Sequence, residues 1–301
     1  MPHYGGMSSP KVLVTGATGL IGKYALSSLM EKGFSTLGAS RSGEGLSGVS
    51  LNIHDTEAVN NFIKKEKPDY LLHLAWNVDS GYMSSSENLD WIVSSLNLLK
   101  IFAQNGGKRA VFAGTCIEYD WRYGFLSEDF TPLESTSVYG SAKASLHKFA
   151  SKWAENINLS FAWGHIFFLY GKGERNERIV PYIVDSFLKG EKPILKNPYI
   201  LRDYMYAGDI ADGLIALLFS DFKGSVNIAS GSAVTLCDIA KKVAMLTNCS
   251  IPEYEYTIHE DNIAPIVLGD TRRLNNIIGF KPKVSWEDGL CEIIKERRNL
   301  L

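Results

Sequence analysis

The stretch KVLVTGATGLIG, residues 11–22, decides how the rest of the chain is read. The aliphatic and β-branched residues of Lys11–Thr15 predict a strand. It runs without a spacer into Gly16, Gly19 and Gly22, and these open an amphipathic segment, Leu20–Glu31. In this strand-to-helix context a glycine pattern becomes a nucleotide-site hypothesis. Glycines allow a tight turn and close approach of the backbone, and the helix N-terminus then offers its unpaired N–H groups to a pyrophosphate. Gly16, Thr18, Gly19, Leu20, Ile21 and Gly22 are therefore expected to hold a dinucleotide.

Outward from that unit the same rhythm repeats. Strands are predicted at Thr36–Ser40, Val49–Leu51, Tyr70–Leu74, Arg109–Ala113, Leu159–Phe168 and Ser225–Ile228, with helices at about Thr56–Lys65, Ser86–Gln104, Tyr139–Asn156 and Asp209–Ser220. Alternation of this kind predicts an α/β fold, a Rossmann-type doubly wound parallel sheet. From Lys172 onward Pro181, Gly190, Pro193, Pro198, Pro252, Pro265 and Pro282 loosen the rhythm. Residues 10–171, with about 204–231, are accordingly expected to form the dinucleotide-binding domain, and 172–203 with 232–301 a smaller C-terminal α/β substrate-binding lobe.

With 301 residues, 45% hydrophobic and 21% charged, the chain has ordinary globular composition, which excludes disorder, collagen and coiled coil. The 31 basic and 33 acidic residues leave no positive excess to neutralise a phosphate backbone, so nucleic acid is not an expected partner. The longest nearly apolar run, Leu159–Tyr170, falls far short of the roughly 20 residues that span a bilayer, and no membrane crossing is expected. The N-terminal MPHYGGMSSPK lacks a basic region followed by an apolar stretch, so no secretory signal is expected, and Met7 offers a second start. Cys116, Cys237, Cys249 and Cys291 form no CxxC and no metal-ligand spacing; a reducing cytoplasm and no metal are expected.

The end of the second predicted strand reads Gly38-Ala39-Ser40-Arg41-Ser42. An acid there would bond the ribose 2′-hydroxyl of NAD; Arg41 instead suits a 2′-phosphate, with Ser40 adding a hydroxyl. The preferred cofactor is therefore NADP(H), with NAD(H) as the alternative, although a loop arginine is also commonly just solvated. Further along, Tyr139-Gly-Ser-Ala-Lys143 opens a helix, and a spacing of four puts phenol and ammonium on one face. A nearby ammonium favours phenolate and brings a tyrosine into the range of acid–base work.

In GxxGxxG spacing, GATGLIG resembles the extended short-chain dehydrogenases/reductases, the NAD(P)-dependent epimerases, dehydratases and reductases of nucleotide sugars. The position of Tyr139 and Lys143 after the fifth strand is similar to that of the family's catalytic pair, and Thr115, four residues before Tyr119, to its S/TxxxY hydroxyl. His73-Leu-Ala75, Leu169-Tyr-Gly171, RDYMYAGD (202–209), VNIASG (226–231) and Leu274 to Pro282 extend the resemblance over nearly the whole chain. It implies that Tyr139 moves the proton, Thr115 orients the substrate oxygen, and Lys143 tunes Tyr139 and grips the nicotinamide ribose. Asn52, Ile53, Leu74, Ala75 and Trp76 join the expected cofactor contacts. On the substrate side, a nucleotide-diphosphate sugar, the expected contacts are Cys116, Glu118, Arg178, Arg202 and Arg272. A homodimer through the Ser86–Gln104 and Tyr139–Asn156 helices is likewise implied.

Among the family's reactions, 4,6-dehydration needs an acid–base pair after the threonine, where this chain has Cys116 and Ile117. Isoleucine cannot move a proton. Without the acidic second-strand residue of NAD-retaining epimerases, the chain reads as an NADPH-dependent 4-ketoreductase of a nucleotide-activated 6-deoxy-4-ketohexose. An epimerase with retained NAD(P) and a non-catalytic NADP-binding sensor are the competing readings. Three residues are read plainly beside this: Cys116 as a small buried hydrophobe, Glu118 as an ordinary exposed glutamate, and His165 as a satisfied core histidine. Trp76, Trp91 and Trp121 flank the site as packing or as stacking surfaces. The family's second arginine falls at His259-Glu-Asp261-Asn262, which leaves Arg178 or Arg272 to replace it.

Overall fold

The computed structural model describes residues 9–255 and 263–300. The N-terminal stretch up to Ser8 and the His259–Asn262 segment singled out above lie outside the described residues. Seven strands build the main sheet: β1 (Lys11–Thr15), β2 (Ser35–Ser40), β3 (Gly48–Ser50), β4 (Tyr70–His73), β5 (Arg109–Thr115), β7 (Ser160–Ile166) and β10 (Gly224–Ile228). Their order is β10-β7-β5-β4-β1-β2-β3, every neighbouring pair parallel. Helices α1 (Leu20–Glu31) and α6 (Ala207–Leu218) cover one face; α2 (Thr56–Glu66), α3 (Glu87–Gln104) and α4 (Val138–Asn156) cover the other. Both faces are apolar because both are buried, which is why β1, β4 and β5 read as continuous aliphatic runs rather than alternating ones. The sheet is the expected doubly wound Rossmann type.

Strand order reverses at β1, which lies between β2 and β4. The loops leaving those strands diverge to opposite faces and leave a crevice at their C-terminal ends, where open α/β sheets bind ligands.

One predicted strand is corrected. Leu159–Phe168 is not continuous: β7 stops at Ile166, Phe167 N–H bonds to Ile228 O, and β8 (Phe168–Tyr170) leaves to pair with β9 (Leu201–Tyr206). An aliphatic and aromatic run carries no mark of where the chain changes sheets, since both sheets bury it. The second sheet has the order β11-β9-β12-β6, with β8 also on β9; β6 is Phe125–Leu126, β11 Ala233–Thr235 and β12 Ile266–Gly269. It therefore draws strands from before Lys172 as well as after it. Helices α5 (Ile179–Leu188), α7 (Leu236–Thr247) and α8 (Trp286–Arg298) pack over it around Val184, Val243, Ala244 and Ile293. Capping boxes and caps written into the sequence start these helices, as at Thr235 with Asp238 and Ser285 with Asp288. Among the described residues no helix is long and apolar enough to cross a membrane.

Candidate active site

A cleft of about 1330 Å³ opens at the reversal point and continues past β5 and β7 toward the second sheet. Its first wall is the loop after β1. Gly16 has φ +72°, and a Cβ there would lie 2.8 Å from Ala75 N; at Gly22 it would lie 2.2 Å from Gly16 O. Both glycines are required by backbone packed on backbone. Gly19, Thr18, Leu20 and Ile21 line the cleft, as do Ser40, Arg41, Asn52, Ile53, Leu74, Ala75 and Trp76. Arg41 is exposed, and its guanidinium enters no ion pair among the described residues. The Ser40 hydroxyl already accepts from Gly43 N–H at 3.0 Å, which holds the turn that carries Arg41. Behind this wall Thr15 Oγ1 and His73 Nδ1 lie 2.6 Å apart, and His73 Nε2 is 2.9 Å from Ser95 Oγ. Burial pushes the His73 imidazole down to about 3, so it stays neutral and braces β1 against β4 and α3.

At the other end, β5 delivers Thr115 and α4 delivers Tyr139 and Lys143, and all three line the cleft with Cys116. Ser137 caps α4 by accepting from Gly140 N–H at 3.0 Å, so the helix starts with Tyr139 in its first turn. The Thr115 hydroxyl acts on Tyr139 as a hydrogen-bond partner. Lys143 Nζ donates to Ala113 O at 2.8 Å and sits 3.9 Å from the centre of the Trp76 ring. Removal from water brings the ammonium down to about 7, against the pull of Glu118. For Tyr139 the expected lowering by the ammonium is not what prevails: burial, with Tyr82 and Glu118 adding to it, pushes the phenol well above its ordinary value. Tyr82 and Trp76 pack edge-on against the ring at 4.9 and 6.2 Å and exclude the water that would stabilise a phenolate.

Substrate-side expectations divide. Arg178 lines the cleft and donates to Val78 O at 3.0 Å. Arg202 is buried, donates to Leu201 O, and stacks its guanidinium 5.5 Å from both Trp121 and Phe168; it stands behind Phe168 and Tyr204, which line the cleft, rather than on the lining. Arg272 is turned away from the cleft: its fork clasps Asp270 at 3.0 and 2.6 Å with the head exposed. A carboxylate two residues earlier captures it locally. Glu118 is corrected from an exposed glutamate to one with no exposure, and it too is absent from the lining. With Thr115 it closes a capping box over the short turn 116–118, its carboxylate accepting from Thr115 N–H at 2.8 Å. His165 is buried as expected, yet its Nδ1 has no hydrogen-bond partner among the described residues. Cys116 is buried as expected, with its thiol pushed up by desolvation.

Of the residues at the mouth, sequence reading named Arg178 but missed Arg175, Asp79 and Glu174. Arg175 pairs with Asp79 and donates to Val78 O at 2.9 Å, so the 172–178 loop is tied to the 77–79 loop across the cleft. Glu174 lines it as well, brought up to about 7 by burial, with Arg178 opposing. These contacts span about a hundred positions, and no local pattern announces them.

Residues 12–229 match the model of the NAD dependent epimerase/dehydratase family. The mouse dTDP-D-glucose 4,6-dehydratase is 23% identical over 319 residues, covering 96% of this chain and 89% of the relative. GDP-6-deoxy-D-talose 4-dehydrogenase of Aggregatibacter actinomycetemcomitans is 25% identical over 289 residues, covering 89% and 91%. Among solved structures, the UDP-glucose 4-epimerase of Thermotoga maritima with UDP-glucose superposes with a TM-score of 0.86 at 23% identity, covering 96% of this chain and 99% of that one.

Proposed function

The chain belongs to the NAD dependent epimerase/dehydratase family, and from that premise we propose that it reduces the 4-keto group of a nucleotide-diphosphate 6-deoxy-4-ketohexose with NADPH. Tyr139 carries the reading. Its burial keeps the phenol protonated at the cleft wall, a standing proton donor to a ketone oxygen as it gains charge. Thr115 holds that oxygen in line, and the Lys143 ammonium supplies positive charge beside it below about pH 7. When bound, a reduced nicotinamide would supply the hydride. The residues fit a dinucleotide: Gly16 and Gly22 leave room only for backbone, and Arg41, on the cleft lining, has no ion pair among the described residues and suits a 2′-phosphate. Ile117, in place of an acid, supports reduction over dehydration, and the name of the talose 4-dehydrogenase relative describes oxidoreduction at the same carbon of a 6-deoxy sugar.

The second lobe would take the nucleotide diphosphate, with Arg178 at the mouth. A homodimer through α3 and α4 is supported by the exposed apolar side chains Leu89, Val93 and Phe149 on those adjoining helices.

The test is NADPH absorbance on mixing the protein with a panel of nucleotide-activated 4-keto-6-deoxyhexoses, beside Tyr139→Phe and an NADH control. Oxidation that prefers NADPH and is lost in the variant is expected. No oxidation, with cofactor released only on denaturation, would replace the reductase with an epimerase.

A further inference from the structure

Four nitrogens surround the carboxylate of Glu118. Oε1 accepts from Thr115 N–H at 2.8 Å and from Trp163 Nε1–H at 3.1 Å, and His165 Nδ1 stands 3.4 Å from it. His147 Nδ1 stands 3.6 Å from Oε2. Glu118 Oε2 and both imidazole Nδ1 atoms are buried with no hydrogen-bond partner among the described residues. Room for the cluster depends on Gly114, where a Cβ would lie 1.9 Å from Trp163 Nε1 and 2.5 Å from Glu118 Oε1. His147 follows Lys143 by one helical turn and Tyr139 by two, so the cluster continues the reactive face of α4 into the interior. The His147 ring is stacked on Trp163 at 4.8 Å, and the same indole lies 5.9 Å from Lys143 Nζ.

An ionised carboxylate with no exposure is costly unless donors and an opposite charge compensate it. The donors are Thr115 N–H and Trp163 Nε1–H, with the two imidazole Nδ1 atoms 3.6 and 3.4 Å away; the opposite charge beside the same indole is the Lys143 ammonium, itself buried. A divalent cation in the cluster would add two positive charges beside that ammonium against a single carboxylate, leaving the interior charged. One carboxylate and one ammonium leave it neutral.

We propose that Glu118 is the positioning residue and counter-charge of the active site: held by Thr115 N–H and Trp163 and flanked by His147 and His165, it anchors Thr115 and favours the ammonium form of Lys143. This rests on the reading of Thr115, Tyr139 and Lys143 as the reacting groups. The sign follows from electrostatics: a fixed negative charge favours ammonium and disfavours phenolate, and both are the states a proton donor to a ketone requires. The imidazoles hold Glu118 well below the usual carboxylate range against its burial, and Glu118 in turn raises both Lys143 and Tyr139. The other titratable groups nearby are Cys116 and Tyr119 on its own segment; Asp203 and Arg202 act on Cys116, and Glu128 on Tyr119.

Glu118→Gln tests this, because its amide oxygen still accepts from Thr115 and Trp163 while the charge is gone. The protonation of Lys143 is read directly, as the pH dependence of its acetylation by acetic anhydride, followed by peptide mass spectrometry. The midpoint is expected to fall by about one pH unit, a tenfold loss in the ammonium-to-amine ratio, and the alkaline limb of kcat/KM to move down with it. A lower kcat with an unmoved midpoint would mean a merely structural glutamate and overturn the proposal. If Glu118→Gln does not fold, Glu118→Asp, which keeps the charge but draws it back by one methylene from Trp163, is expected to move the midpoint in the same direction by less; an unmoved midpoint there overturns it equally. Stoichiometric metal in the protein by elemental analysis would assign the cluster to an ion and overturn it as well; its absence supports the counter-charge. Failure to turn over any nucleotide sugar would sink the reductase reading alone, since the labelling midpoint needs no substrate.

Discussion

The two ends of the cleft are built from different materials. Around Gly16–Gly22 the wall is backbone: a tight turn, a helix N-terminus and two glycines whose Cβ atoms would strike main chain. Around Thr115, Tyr139 and Lys143 it is side chain, contributed by β5 and α4 and supported from β7 by Trp163 and His165. The backbone end needs geometry and tolerates solvent, because pyrophosphate recognition by N–H groups works at an open surface. The side-chain end needs burial, because desolvation keeps Tyr139 a phenol and leaves Lys143 poised near neutrality.

Substitutions separate the two ends. Tyr139→Phe removes the proposed proton donor and is expected to lower kcat by about 10²–10⁴-fold, while cofactor affinity, read by fluorescence quenching, stays within a few-fold; a matching loss of affinity would erase the distinction. Gly22→Ala drives a Cβ against Gly16 O, and should weaken cofactor binding by about tenfold or more and stability by about 1–3 kcal/mol, read by titration and denaturant unfolding. The chemical step measured at saturating cofactor should be nearly unchanged. Arg41→Ala should cut the proposed NADPH over NADH preference by about 10- to 100-fold through KM, the worth of about 1.5–3 kcal/mol for a charged hydrogen bond, with kcat preserved.

Lys143→Met probes the buried end from the side of stability. The lysine sits at about 7 in the folded chain and near 10.4 when unfolded. The folded state therefore binds fewer protons between those values, and its burial of the ammonium costs stability in full below pH 7. That cost is relieved as pH rises toward the unfolded value. The variant should lose turnover yet melt several degrees higher at pH 6, with the gain shrinking toward pH 10; a lower melting temperature at pH 6 would show that the Ala113 bond and the Trp76 contact outweigh desolvation.

Much of the fold was legible because its signals are local. Lys11–Thr15 into GATGLIG sets strand, turn and helix within twelve residues, and the seven main-sheet strands follow the same pattern with ends shifted by a residue or two. Legible for the same reason were Tyr139 and Lys143, one helical turn apart. Arg272 misled, because an arginine near the end of the chain reads as free to reach a phosphate until Asp270 is seen to hold it. Glu118 misled because spacing along a loop does not tell which way a side chain turns. His147 was within reach, lying four residues past Lys143 on the same helix face.

What the sequence alone determined is thus the set of short-range commitments: the glycine turn, the helix caps, the absence of an acid at positions 41 and 117, and the pairing of Tyr139 with Lys143. Only the tertiary structure decided the turn of the chain from β7 into a second sheet at Phe167, the tie of Arg175 to Asp79, and the meeting of Glu118 with His147 and His165. Periodicity and propensity act over a few residues. Burial and electrostatics act through space, between groups the chain brings together from tens of positions apart.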